Sequence, residues 1–300
     1  MRLLSLTLAV MAYPVVAALP QYNLYLTDIS KDLVVSNTIK INETPAYINQ
    51  PAFSLDGKSL FFTLEQGKDA AVQTDIAQYV LAEKKQQLLS KTALSEYSPT
   101  LLPDGAGLSV VVVEADQTQR LWAVDWQGNT GLLKAEPKGV GYHAWGPDQD
   151  VLLFILGDKE DNHTVRYQDK SGQLQTVATG VGRALSWQPG TQQGFFTVLR
   201  NNQLFLSFID VPGKQQYQTG LALPPGGQDL LWWSADTLLV SAGSKIYQWH
   251  TQGKQGAALN DLAKTKGWTL WLDLSKDCDT EISRFALNKE RSKLAFVCKV

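Results

Sequence analysis

The stretch "SPTLLPDGAGLSVVVVEADQTQRLWAVD", Ser98–Asp125, decides the fold. A Pro-Asp-Gly turn separates two apolar runs, and the polar segment Glu114–Gln119 separates the second run from a third. The runs are rich in Val and Leu at strand length, and Asp-Gly is hairpin chemistry. The pattern returns as "PAFSLDGKSLFFT", "YHAWGPDQDVLLFILG", "ALSWQPGTQQGFFTV", "LLWWSADTLLVSAG" and "ISRFALNKERSKLAFVC". Aligned on the large apolar residue three places before the turn, the copies place Phe53, Leu101, Trp145, Trp187, Trp233 and Phe285 in one column. The turn column holds Asp56, Asp104, Asp148, Gly190, Asp236 and Asn288, residues expected to supply the positive φ of a tight turn. The copies are spaced by 48, 44, 42, 46 and 52 residues. A period in the forties with about four short strands per copy is the mark of a β-propeller.

Each second run is almost continuously apolar, as for a strand covered on both faces. Third strands such as "QRLWAVD", "QLFLSFID" and "KIYQWHT" alternate more, and weak fourth strands such as "QLQTVAT" follow. "ALNDLAKTKG" is the one short helical candidate. The sixth copy stops at Val300 after two strands, while "YNLYLTDI" and "LVVSNTIKIN" near the start read as a third and a fourth. The predicted fold is therefore all-β: a six-bladed β-propeller over residues 19–300, its last blade closed by N-terminal plus C-terminal strands. Closing the ring this way leaves no open sheet edge at the seam.

The hairpins "WGPD", "FSLDG" and "LLPDG", with "EYSPTLLPDG", "VEADQTQRLW", "VGYHAW" and "GSKIYQW", resemble the TolB-like, PD40 (WD40-like) six-bladed propellers, and among them an exported group with no assigned activity. The resemblance covers nearly the whole chain after the first twenty residues. It implies fold far more than function, because propellers host many activities. TolB carries a further N-terminal domain for which 300 residues leave no room, so a role in the Tol–Pal system is not implied.

The opening "MRLLSLTLAVMAYPVVAALP" has one Arg, a short apolar run and small residues at Val16 and Ala18, and reads as a signal peptide over 1–18. This predicts export across the inner membrane, to the periplasm in a Gram-negative source, with no membrane insertion after cleavage. Two cysteines, Cys278 and Cys298, then read as a disulfide. A hairpin turning at Asn288–Arg291 would pair Glu281 with Cys298 and bring Cys278 within reach. The net charge of −2, without a basic run, gives no footprint for nucleic acid.

In a propeller the starts of the first strands meet the loops between second and third strands at one channel mouth. Counting back from the aligned column, the polar side chains expected there are Glu96, Tyr97, His143, Arg183, Asp229 and Glu281. The loop Glu114–Arg120 could reach the same mouth; alternatively, Glu114 and Arg120 flank a hairpin and pair across it. Arg183 could bind a carboxylate in bidentate fashion or neutralise Asp229 and Glu281. Asp229, Glu281 and Asn49 could give three of the six or more oxygens that Ca²⁺ needs, with Arg183 opposing a cation. There is no G-x-S-x-G, no H-E-x-x-H and no glycine-rich phosphate loop, so no catalytic residue, metal site or cofactor is assigned. The expectation is a monomeric, non-enzymatic propeller that binds a protein partner or small polar ligand at the mouth. The rival is a metal-assisted hydrolase or lactonase with a site in the channel.

Overall fold

Second strands that are almost continuously apolar are satisfied only where sheets cover both of their faces, and the computed structural model places them so. It describes residues 19–67, 72–212 and 214–300; the proposed signal peptide lies outside them. In chain order the strands are β1 (Tyr22–Ile29) and β2 (Val35–Lys40), then β3 (Ile48–Phe53), β4 (Ser59–Gln66), β5 (Gln73–Val80) and β6 (Lys85–Leu88). The next sheet holds β7 (Ser95–Leu101), β8 (Gly107–Val113), β9 (Gln119–Asp125) and β10 (Thr130–Lys134), and the one after it β11 (Val140–Trp145), β12 (Val151–Ile155), β13 (Thr164–Gln168) and β14 (Leu174–Thr179). There follow β15 (Val181–Trp187), β16 (Gln193–Arg200), β17 (Gln203–Asp210) and β18 (Gln215–Ala222), then β19 (Asp229–Ser234), β20 (Thr237–Ala242), β21 (Lys245–His250), the helix α1 (Gly256–Leu262) and β22 (Thr269–Asp273). The chain ends with β23 (Ile282–Leu287) and β24 (Lys293–Lys299).

These strands form six four-stranded antiparallel sheets, the blades of a β-propeller. The inner strands β3, β7, β11, β15, β19 and β23 touch in that order, and β23 touches β3 again. Blades 1 to 5 each come from one continuous stretch of chain; the sixth has the order β2-β1-β24-β23, and β1 pairs with β24 from Tyr22↔Lys299 to Asp28↔Lys293. β4, β8, β12, β16, β20 and β24 are the buried middle of their blades, whereas the outer β6 and β10 are largely exposed.

The aligned aromatic column packs between blades. Phe53, Phe285 and Trp233 sit in clusters at blade junctions, and Trp187 donates to Ala144 O of the preceding blade at 2.9 Å. Gly146 leaves the room this indole needs, since a Cβ there would lie 2.5 Å from Trp187 Cε2. Between blades 4 and 5, Phe195 stacks on Phe208 at 5.2 Å and meets the edge of Trp232 at 5.0 Å. Helix α1 begins two residues before the expected segment and buries Leu259 and Leu262 against this junction.

Two details differ from the expectation. The positive φ is absent from Asp236, falls on Arg291 rather than Asn288 at the last hairpin, and at the first two hairpins falls on Gly57 and Gly105, not on Asp56 or Asp104. The acids instead accept backbone N–H groups two residues on, Lys58 at 3.1 Å and Ala106 at 3.0 Å, which closes the turn from the side chain. At the last hairpin Leu287 faces Leu294, and Cys298 faces Ile282 rather than Glu281. Asn288 Oδ1 accepts from Ser292 N and Lys293 N, which widens the turn, and a bulge between Ile282 and Arg284 takes back one place. Cys278 and Cys298 nevertheless meet and form a disulfide, with Cα atoms 5.6 Å apart.

Candidate functional site

Every inner strand carries a register shift against its neighbour: Asn49/Ala52, Tyr97/Thr100, Val140/Tyr142, Val181/Leu185, Trp232/Ser234 and Ile282/Arg284. A bulge changes which residue of an alternating pair faces inward. Gln50 and Ser98 sit at two of these shifts with φ of 53° and 57°. The central channel is consequently lined by Gln50, Ser98, Tyr142, His143, Arg183, Asp229 and Arg284, over apolar walls that include Trp145 and Trp187, and is an open pocket of about 470 Å³.

Of the residues expected at the mouth, His143, Arg183 and Asp229 line this channel. The others lie elsewhere. Glu96 is buried between blades 1 and 2, where Ser90 Oγ donates to one carboxylate oxygen and Thr92 Oγ1 to the other at 2.8 Å. Tyr97 packs with Val111 and Trp145 in the junction of blades 2 and 3, edge-on to Tyr47. Glu114 and Arg120 take the pairing alternative. Arg120 Nε donates to Oε1 at 2.8 Å and a terminal guanidinium nitrogen to Oε2 at 2.5 Å, with Trp122 Nε1 also on Oε1 at 2.9 Å. Glu281 pairs at the surface with Lys299 Nζ at 3.1 Å.

Counting back from the aromatic column misses Gln50, Ser98, Tyr142 and Arg284, because it assumes unbroken alternation. One signal was available. Arg284 is the single charge inside the apolar strand "ISRFAL", and a charge in a buried strand needs a reason.

Arg183 of blade 4 and Arg284 of blade 6 both donate to the carbonyl oxygen of Ser283, at 3.3 Å and 2.9 Å. Arg284 also lies over the Tyr142 ring of blade 3, with Cζ 4.9 Å from its centroid. Together these side chains bridge the channel. Burial pushes the Tyr142 phenol up, but Arg284 and then Arg183 overcome this and hold it below its ordinary value. Burial and the facing Arg284 both push the Arg183 guanidinium down. Asp229 accepts from Phe285 N at 3.1 Å; burial raises its carboxyl above the usual range against the pull of Arg284.

His143 is buried, and burial brings its pKa down to about 3, so the ring is neutral at physiological pH. Its Nε2 lies 2.6 Å from Ser109 Oγ. This is no nucleophile and base pair, since Ser109 is fully buried and its Oγ also accepts from Trp145 Nε1 and donates to Thr100 O. Among the described residues no three His, Cys, Asp or Glu side chains gather in a metal-binding group.

Glu96 supplies a pH test of the junction between blades 1 and 2. Burial raises its carboxyl, and Asp75 nearby adds to the effect. A raised carboxyl means that the fold binds this proton more tightly than the unfolded chain. The associated stability is complete below the unfolded pKa and is lost as pH rises through the folded one. A tenfold tighter hold on the proton corresponds to about 1.4 kcal/mol. Glu96→Gln should therefore melt increasingly above wild type between pH 4 and pH 8, with no gain at pH 4. Thermal melts across that range check it, and a deficit of equal size at every pH would contradict it.

No family model matches the chain, and no curated protein matches it. Solved structures do. A TolB candidate from Agrobacterium tumefaciens superposes over 94% of this chain and 99% of its own, with a TM-score of 0.67 at 13% identity. A gluconolactonase from Xanthomonas campestris covers 95% and 99%, with a TM-score of 0.61 at 10% identity. An oligogalacturonate lyase from Vibrio parahaemolyticus covers 84% and 71%, with a TM-score of 0.55 at 13% identity. These likenesses extend over the propeller and establish the fold, TolB-like neighbours included.

Proposed function

We propose that this chain is an exported, non-enzymatic propeller that binds a small polar ligand or a protein segment in its central channel. The observation that carries the reading is the polar set that the inner strands gather on the channel wall, Arg183, Arg284, Tyr142 and Asp229 beside Gln50 and His143. Neither guanidinium forms an ion pair among the described residues, which leaves charged donors for an occupant that accepts hydrogen bonds. The disulfide, together with the signal-like first 18 residues, supports export, to the periplasm in a Gram-negative source.

The gluconolactonase among the structural neighbours keeps a hydrolytic reading in play. The donor set does not favour it. A hard divalent cation wants several oxygens, and this channel offers one carboxylate, Asp229, facing two guanidinium groups. The reading is tested by crosslinking capture from periplasmic extract with wild-type protein and with Arg183→Ala. Captured species should fall at least fivefold in the variant; an unchanged profile sinks the channel as the binding site of a protein segment. Metal analysis of the purified protein belongs to the same experiment, and a stoichiometric divalent ion whose chelation lowers the melting temperature would favour the rival.

A further inference from the structure

The channel gathers more positive than negative charge. Arg183 and Arg284 come from blades 4 and 6, on either side of blade 5, yet both donate to one oxygen, Ser283 O. Neither forms an ion pair among the described residues; the carboxylates paired with a cation there are Asp28, Asp56, Glu114, Asp261, Asp273 and Glu281. The acid in the channel, Asp229, is engaged by Phe285 N. His143 adds no charge, as its ring is neutral. With Asp229 ionised, two guanidinium groups against one carboxylate leave an excess of one positive charge in a partly apolar channel that opens to solvent. Like charges held in a protein interior repel strongly, and the arrangement is stabilised by whatever anion enters.

We infer that the channel is a recognition site for an organic monocarboxylate, its carboxylate held by Arg183 and Arg284 and its body lying against Trp145, Trp187 and Leu231. This rests on the channel-binding reading and specifies its ligand class. Three features favour this class. A single excess charge matches a monoanion, whereas a phosphate dianion would leave the channel negative. The guanidinium fork matches carboxylate geometry. The indole and leucine walls offer apolar surface to an organic body rather than to a hydrated inorganic ion.

The test uses butyrate, its neutral isostere butyramide, and inorganic phosphate, titrated into the purified protein at constant ionic strength. Binding is read from intrinsic tryptophan fluorescence, since Trp145 and Trp187 line the channel, and from the melting temperature. Butyrate should saturate and raise the melting temperature, while butyramide and phosphate bind at least tenfold more weakly. Arg183→Met should weaken butyrate at least tenfold. Exchanging one of two facing cations for an apolar side chain of similar length is compatible with folding. Arg284→Lys, which keeps the charge and loses the fork, should weaken butyrate by a smaller factor. Equal binding of butyrate and butyramide overturns the carboxylate assignment and leaves channel binding standing. Tighter phosphate binding, undiminished butyrate binding in both variants, or no response to butyrate also overturns it. Saturable butyrate binding alongside an unchanged capture profile for Arg183→Ala would instead count against the protein-segment half of the proposed function.

Discussion

Deleting Tyr22–Asn42 should leave a chain with no cooperative melt that elutes as aggregate in size-exclusion chromatography. β1 contributes the third strand of blade 6, pairing with β24 at every position from Tyr22 to Asp28. Leu24 and Leu26 are buried with Ala295 and Val297 against Leu60 and Phe62 of blade 1, so the deletion unpicks a blade and the junction beside it. Asn42 adds hydrogen bonds to Leu24 N at 2.8 Å and to Thr44 O at 2.7 Å. Removing two buried leucines costs about 2–5 kcal/mol each, and exposing the β24 edge offers a template for intermolecular pairing. The sum is comparable to the entire stability of an ordinary domain, about 5–15 kcal/mol. A soluble monomer with a sharp transition would show that five blades hold the fold without the sixth. Adding a synthetic peptide of residues 19–42 during refolding should restore part of the soluble fraction.

Cys298→Ser should lower stability by about 3 kcal/mol, close to the chain-entropy value for a loop of this size. The bridge joins residues separated by 20 positions and ties β24 to the segment that enters β23. Both sulfurs are buried in the cluster that also contains Phe285, Phe296 and Leu294, so a thiol or hydroxyl at either site is shielded from water. Because β24 is also the partner of β1, the loss should be felt at the seam between the chain ends. Chemical denaturation of wild type with and without reductant, beside Cys278→Ser and Cys298→Ser, separates the bridge from the packing of the sulfurs. Equal midpoints in all four samples would mean that the bridge constrains nothing.

Much of the architecture is legible in the residues because it depends on local chemistry repeated six times. The hairpin turns, the apolar middle strands and the two orphan strands at the N-terminal end each needed only a few adjacent side chains. The disulfide was legible although its register was not. The wide turn depends on Asn288 capping two backbone N–H groups, and no count of strand positions reveals that.

The site was legible in part. His143, Arg183 and Asp229 face the channel as alternation requires. Glu281 does not, because the shift at Ile282/Arg284 gives the inward place to Arg284; Tyr97 yields its place to Ser98 in the same way. Glu96 and Glu114 carry charge that the sequence leaves uncommitted. Neighbouring hydroxyls bind the first, while Arg120 and Trp122 hold the second.

By itself, then, the amino-acid order determined six hairpins, their period and the sharing of the last blade between the chain ends, because turn chemistry and burial patterns act over a few residues. Only the tertiary structure decided which polar side chains enter the channel. That choice turns on single-residue bulges, and on guanidinium groups that reach across the ring from blades far apart in sequence.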